Sequence, residues 1–153
     1  MSLGILLADD QQLVRAGIKA LLEQEGFEVV GAAANGEEAV QLAQALNPDV
    51  AVLDLLMPVL SGVDAGRQIL RLCPRTRVLL LTMHAQEHQV AEALQAGIRG
   101  YVVKTQAVED LVDAIRAVTG GGIYLSPSIS RDAVHAYFAG TEPRPETLAP
   151  LQP

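Results

Sequence analysis

The chain has 153 residues and a formal net charge of −7, with 50% hydrophobic and 19% charged residues. That balance excludes disorder as the overall state, and a domain of this length buries roughly 70% of its unfolded surface without help from disulfides. Eighteen acids against eleven bases, with no block of Lys or Arg, leave this chain without the concentrated basic surface that nucleic-acid binding requires. From the N-terminus, short apolar runs alternate with amphipathic stretches. Strands are predicted at Gly4–Asp10, Glu28–Ala34, Asp49–Leu55, Arg77–Met83 and Gly100–Lys104, each a near-continuous run rich in Val, Leu or Ile. Helices are predicted between and after them, at Gln12–Glu25, Gly36–Leu46, Ser61–Leu72, Gln86–Ala96 and Gln106–Val118. In the first helix Val14, Ile18, Leu21 and Leu22 share a face. In the last, Leu111, Ile115 and Val118 do so, with Asp110, Asp113 and Arg116 expected outward. Five strands alternating with five helices predict an α/β fold, a flavodoxin-like, doubly wound parallel sheet of order 2-1-3-4-5.

The pattern changes after Gly120-Gly121-Gly122. Ser126-Pro127 reads as an N-cap with Pro in the first helical turn, opening a short extra helix that Gly140 closes. Four of the eight prolines fall in the last eleven residues, which reads as a linker or tail. The expected division is residues 1–120 as one domain, 121–140 as a linker helix and 141–153 as a Pro-rich segment. The lone Cys73 cannot pair internally, and no Cys/His cluster suggests zinc. No run approaches the roughly 20 apolar residues of a membrane span and no signal segment opens the chain, so a soluble, cytoplasmic protein without a membrane partner is expected.

Ligands of such sheets bind at the carboxyl ends of the strands. Those ends carry Asp9-Asp10, Asp54, Thr82 and Lys104. Three clustered carboxylates repel one another unless a cation neutralises them, and an all-oxygen donor set points to a hard ion such as Mg2+. Lys104 supplies a point charge for a phosphoryl oxygen and Thr82 a donor, a set suited to phosphoryl transfer onto Asp. Each residue has a plainer reading. Asp9 or Asp10 could cap the first helix, Asp54 could be a turn acid, Thr82 a β-former and Lys104 a solvated strand end. Their shared position at the ends of different strands is what those readings leave unexplained.

Asp9-Asp10, Asp54-Leu55-x-Met57-Pro58-x-x-x-Gly62, Thr82 and Tyr101-Val102-Val103-Lys104 together resemble the receiver domain of two-component response regulators, over Leu3 to about Val118. Leu13-Val14-Arg15-x-Gly17, Leu81-Thr82-Met83-His84, Ala96-Gly97-x-x-Gly100-Tyr101 and Gly121-Gly122-x-Tyr124-Leu125-Ser126-Pro127 look like its NarL/LuxR-type subfamily. The resemblance implies a CheY-like fold in which Asp54 accepts a phosphoryl group from a sensor histidine kinase. It implies Mg2+ on Asp10, Asp54 and the Leu56 backbone carbonyl, with Asp9 acting through a water. Thr82 and Lys104 would hold the phosphoryl oxygens, and Tyr101 would turn inward as Thr82 is drawn to the phosphate. Leu56 and His84 stand where relatives tune phosphoryl lifetime. Such a domain is a regulatory phosphoacceptor, limited to Mg2+-dependent self-phosphorylation and self-dephosphorylation. Phosphorylation is expected to favour a homodimer, and DNA is expected as a partner only through a C-terminal domain absent from this chain. Thr105 replaces the proline that many receivers carry after the lysine, and Gly66 inside a helix is locally unfavourable.

Two other classes share parts of this chemistry. A phosphohydrolase with an Asp nucleophile places its second acid two residues after the first on the opening strand, whereas Asp9 and Asp10 are adjacent. A flavin carrier needs a phosphate-cradling loop and stacking aromatics. Asp9-Asp10-Gln11-Gln12 offers no such loop, and the chain has no Trp.

Overall fold

The computed structural model of the protein describes residues 2–83, 87–104 and 108–126. In chain order it contains β1 (Gly4–Ala8), α1 (Gln12–Gln24), β2 (Glu28–Ala33), α2 (Gly36–Leu46), β3 (Val50–Asp54) and α3 (Gly62–Leu72). Then follow β4 (Arg77–Thr82), α4 (Glu87–Gln95), β5 (Gly100–Val103), α5 (Val108–Thr119) and β6 (Tyr124–Leu125). The strands form one parallel sheet of order β2-β1-β3-β4-β5-β6. Five of these strands and all five helices match the expected alternation. The strands stop a residue or two before their apolar runs do, because the runs continue into the loops that carry the polar residues.

Side chains alternate between the two faces of the sheet, and both faces are covered. Leu6, Ala8, Ala51, Leu53 and Leu80 pack under α2, α3 and α4, while Ile5, Leu7, Val50, Val52, Leu79 and Leu81 pack under α1 and α5. Two covered faces leave no strand position that favours a polar side chain, so the strands read as unbroken apolar runs. Local chemistry sets the helix ends. Asn35 accepts the Glu38 N–H at 2.8 Å while Glu38 accepts the Ala34 N–H at 2.7 Å, and Ser61 accepts the Asp64 N–H at 3.2 Å.

Three expectations are corrected. The sheet has a sixth strand, Tyr124–Leu125, where the sequence offered only a glycine run before Ser126. Asp110 is 8% exposed rather than outward-facing, because β6 builds a wall against the first turn of α5. Leu21 is 37% exposed, so α1 docks mainly through Leu22 with Ile18 beside it. The expected helix after Ser126, the Pro-rich segment, His84 and Thr105 lie outside the described residues.

Gly66 has a packing role. A Cβ placed there would come within 2.9 Å of Ile98 Cδ1 and 3.2 Å of Val78 Cγ1, so its absence lets α3 approach β4. Helix propensity alone favours alanine at such a position by about 1 kcal/mol, but overpacking a core costs about 1–3 kcal/mol. Because Ile98 and Val78 are themselves buried, the second effect wins. Gly66→Ala is therefore expected to lower stability by about 1 kcal/mol in urea unfolding. Adding Ile98→Val, which removes the opposing Cδ1, should recover part of the loss. A more stable Gly66→Ala protein would show that α3 can shift freely.

Candidate functional site

Asp9 follows directly on β1, and its N–H extends the ladder to the Ala33 carbonyl at 3.0 Å. The side chain is fully buried. One oxygen, Oδ1, accepts the Gln11 N–H at 2.9 Å, turning the chain into α1, whose N-cap residue Gln11 makes no side-chain cap of its own. The other, Oδ2, receives Lys104 Nζ at 2.8 Å. One turn into α1, Arg15 donates to the Asp9 carbonyl at 2.5 Å and so ties the helix back to the loop from which it springs. Both Asp9 oxygens are thus engaged, whereas the neighbouring Asp10 is exposed.

Asp54 ends β3 and is also buried. Its Oδ1 accepts the Leu56 N–H at 3.3 Å, and its Oδ2 lies 3.2 Å from Lys104 Nζ. The backbone around it is tightly held: the Leu55 N–H donates to Leu81 at 2.7 Å, and the Gly62 N–H to Leu55 at 2.8 Å. A Cβ on Gly62 would collide with the Asp54 carbonyl, so the loop can close over the strand end only with glycine there. Between these anchors Leu56 projects into solvent, and Val59 sits at φ 73°, with the Leu60 N–H bonded to the Pro58 carbonyl at 2.8 Å. That is a γ-turn centred on a β-branched residue, a strained conformation that the flanking anchors enforce.

Lys104 lies one residue past β5 and donates its own N–H to the Thr82 carbonyl at 2.6 Å. Thr82, at the end of β4, is buried and pairs in register with Val103. Burial is the largest influence on Asp54 and raises its pKa above 3.8; the charge and hydrogen bond of Lys104 oppose it, and Asp9 adds to it. For Lys104, burial is again the largest single influence and favours the neutral amine. The Asp9 hydrogen bond and the two carboxylate charges together outweigh it, so its pKa rises. Carboxylate oxygens of Asp9, Asp10 and Asp54 all lie within 4.8 Å of one another. This all-oxygen set, with exposed Asp10 on its solvent side, fits a hard cation such as Mg2+.

The structure therefore brings Asp9, Asp10, Asp54 and Lys104 into one cluster and sets Thr82 and Leu56 on its rim. Tyr101 has its side chain inside, 1% exposed, and its hydroxyl has no partner among the described residues. Burial, with a smaller push from Glu92, raises its pKa to about 12. Arg15 belongs to a motif noted in the sequence, yet nothing local showed that it bonds the Asp9 carbonyl. Its place one turn after the acidic pair was the available signal.

The model of the response regulator receiver domain family matches residues 5–116. The chain is 37% identical over 134 residues to the transcriptional regulatory protein DegU of Brevibacillus brevis, covering 87% of this chain and 57% of that protein. It thus spans about three-fifths of the length of the curated relatives it matches. Among solved structures, a LuxR-family two-component response regulator from Aurantimonas is similar with a TM-score of 0.78 at 33% identity, covering 92% of this chain and 98% of that one. The receiver domain of RcsB from Salmonella enterica, solved with a phosphomimetic beryllofluoride, gives 0.77 at 30% identity over 86% of this chain and 98% of that one. With the strand-end acids and the lysine brought together on a parallel sheet, this chain belongs to the response regulator receiver domain family.

Proposed function

We propose that this receiver takes a phosphoryl group from a sensor histidine kinase onto Asp54 and switches the output of a LuxR-type transcriptional regulator. The observation that carries the reading is Lys104 Nζ held 2.8 Å from Asp9 and 3.2 Å from Asp54, a partly buried cation beside two buried carboxylates at the carboxyl end of the sheet. In the proposed transfer an Asp54 carboxylate oxygen attacks phosphorus as the P–N bond of the donor phosphohistidine breaks, and the imidazole nitrogen leaves with the electron pair. The protein contributes position and charge. Lys104 and the Thr82 hydroxyl receive the phosphoryl oxygens.

Asp10, Asp54 and the Leu56 carbonyl are the proposed Mg2+ ligands. Asp9, with both oxygens engaged, acts through a water. When bound, the ion supplies positive charge that offsets the repulsion among the carboxylates and the transferred group. Exposed Leu13, Leu56, Val59 and Met83 stand on the segments that follow β1, β3 and β4, an apolar surround that supports docking of a protein donor. A homodimer on phosphorylation, a cytoplasmic location and DNA contact through a separate C-terminal domain complete the reading. The acidic composition of this chain, and its similarity to the transcriptional regulatory protein DegU, support a DNA contact made outside this domain. Among the described residues no helix is long and apolar enough to cross a membrane.

Intact-mass spectrometry after treatment with acetyl phosphate and Mg2+ tests the assignment. The wild type should gain one base-labile phosphoryl group. Asp54→Asn should gain none, because an amide cannot form the acyl phosphate. Lys104→Ala should still be labelled, roughly 100-fold more slowly, the effect of losing one charge-stabilising donor. Full labelling of Asp54→Asn would place the acceptor elsewhere.

A second expectation concerns pH. The folded pKa of Asp54 lies above its unfolded value of 3.8, so folding favours the protonated acid. That advantage exists below 3.8 and is lost as pH rises through the folded value, which makes ionised Asp54 a cost at neutral pH. In Mg2+-free buffer Asp54→Asn should raise the unfolding midpoint at neutral pH, with the gain vanishing below 3.8. A lowered midpoint at neutral pH would mean that the Lys104 bond outweighs burial.

A further inference from the structure

A second buried polar cluster lies on the far side of β5 from the acids. β6 pairs with β5 through the Tyr124 N–H to Arg99 at 2.8 Å and the Ser126 N–H to Tyr101 at 3.0 Å. Past these two bonds the Ser126 hydroxyl oxygen accepts the Val103 N–H at 2.9 Å, so a side chain of the β6 end takes the last amide of β5. The same hydroxyl donates its proton to Asp110 Oδ2 at 2.5 Å, and Tyr124 donates to Asp110 Oδ1. Burial, helped by the Asp110 bond, raises the Tyr124 pKa to about 12, so the phenol stays a donor.

This cluster is an expensive way to close a sheet edge. Asp110 is 8% exposed, and no salt bridge joins it to a cation among the described residues. Among the described residues it has two hydroxyl bonds and its place as the third residue of α5 to support it. Stability alone would be served as well by apolar side chains. What the cluster adds is direction. Ser126 fixes the N–H of Val103, and the following residue is Lys104, whose own N–H is fixed by Thr82.

We infer that Asp110 and Ser126 are positioning residues for Lys104, so that the end of β6 is coupled to the phosphoacceptor site. The inference rests on the proposed role of Lys104. Asp110 orients the Ser126 hydroxyl, Ser126 pins the end of β5, and β5 sets the root from which Lys104 reaches Asp9 and Asp54. Coupling of this kind is reciprocal. A change in the load on Lys104 shifts the strap at Ser126, and a change at Ser126 shifts Lys104. Tyr124 holds the second Asp110 oxygen and keeps the carboxylate turned toward β6.

The experiment compares wild type with Ser126→Ala, Ser126→Thr and Asp110→Asn in the full chain. In the resting protein the Val103 amide should exchange roughly tenfold faster in Ser126→Ala, the upper range for losing one hydrogen bond. The Lys104 ammonium signal in NMR, sharp while both acids hold it, should broaden. Asp54 labelling by acetyl phosphate should slow by about fivefold or more in Ser126→Ala and Asp110→Asn, the low end of coupling between sites. Ser126→Thr keeps the hydroxyl and should restore all three readouts, which a loss of general stability would not explain. An unchanged Lys104 signal, or wild-type labelling rates in both Ser126→Ala and Asp110→Asn, would overturn the inference. A wild type that takes no phosphoryl group, while Ser126→Ala still loosens Lys104, would overturn the phosphoacceptor reading and leave the positioning role supported.

Discussion

One lysine crossing the top of the sheet organises this molecule. Lys104 rises from the end of β5, yet its partners Asp54 and Asp9 belong to β3 and β1, with β4 in between. Neighbouring strands lie about 4.8 Å apart, so the ammonium must pass over a whole strand end to reach them. It can do so because it starts one residue beyond its strand and because β4 ends in the short side chain of Thr82. The parallel arrangement is equally necessary, since it puts the carboxyl ends of β1, β3, β4 and β5 on a single rim. The covered faces of the sheet then hold those ends still.

That contact is electrostatically unbalanced in an informative way. Lys104 gains more from its two acids than it loses by burial, while Asp54 loses more by burial than it gains from one shared lysine. A buried ion pair of this sort adds little net stability, and its value lies in what responds when the charge changes. A phosphoryl group on Asp54 would add negative charge and acceptor oxygens beside the Lys104 ammonium. Lys104 faces Asp54, Thr82 ends the strand between them, and both are tied through backbone bonds to β5. Tyr101, on that same strand, lies inside the core.

Much of this was legible because strands buried on both faces tolerate almost no polar residue. Asp9, Asp54, Thr82 and Lys104 each interrupt an apolar run, so the interruption itself marked the rim. The same logic failed where structure is non-local. Tyr124–Leu125 is only two residues long and owes its strand character to β5, so no period could announce it. Asp110 was assigned outward from the 3.6-residue pattern of α5, which registers packing on the sheet and ignores the wall that β6 adds beside the first turn. Gly66 looked unfavourable on propensity because its compensation, close approach to Ile98, comes from a loop distant in sequence. Arg15 carried its function to a backbone carbonyl, a partner present at every residue and therefore invisible to motif reading.

The loop from Leu56 to Leu60 shows how the site reconciles burial with access. Asp54 must be desolvated for its interactions with Lys104 to be strong, since Coulombic attraction grows as water is removed. It must also be open to a donor for the proposed transfer. Gly62 and Leu55 clamp the loop at its base, and the γ-turn at Val59 throws the apolar side chain outward instead of folding it over the acid. A valine at φ 73° is uphill by itself, so the conformation is held by the clamps and not by local preference. The result is a buried acid followed by a loop that carries exposed Leu56 and Val59, with exposed Leu13 and Met83 on the segments after β1 and β4. In the proposed transfer, a partner that covers those side chains would exclude water from the acid and so strengthen the attraction between Lys104 and an incoming phosphoryl group.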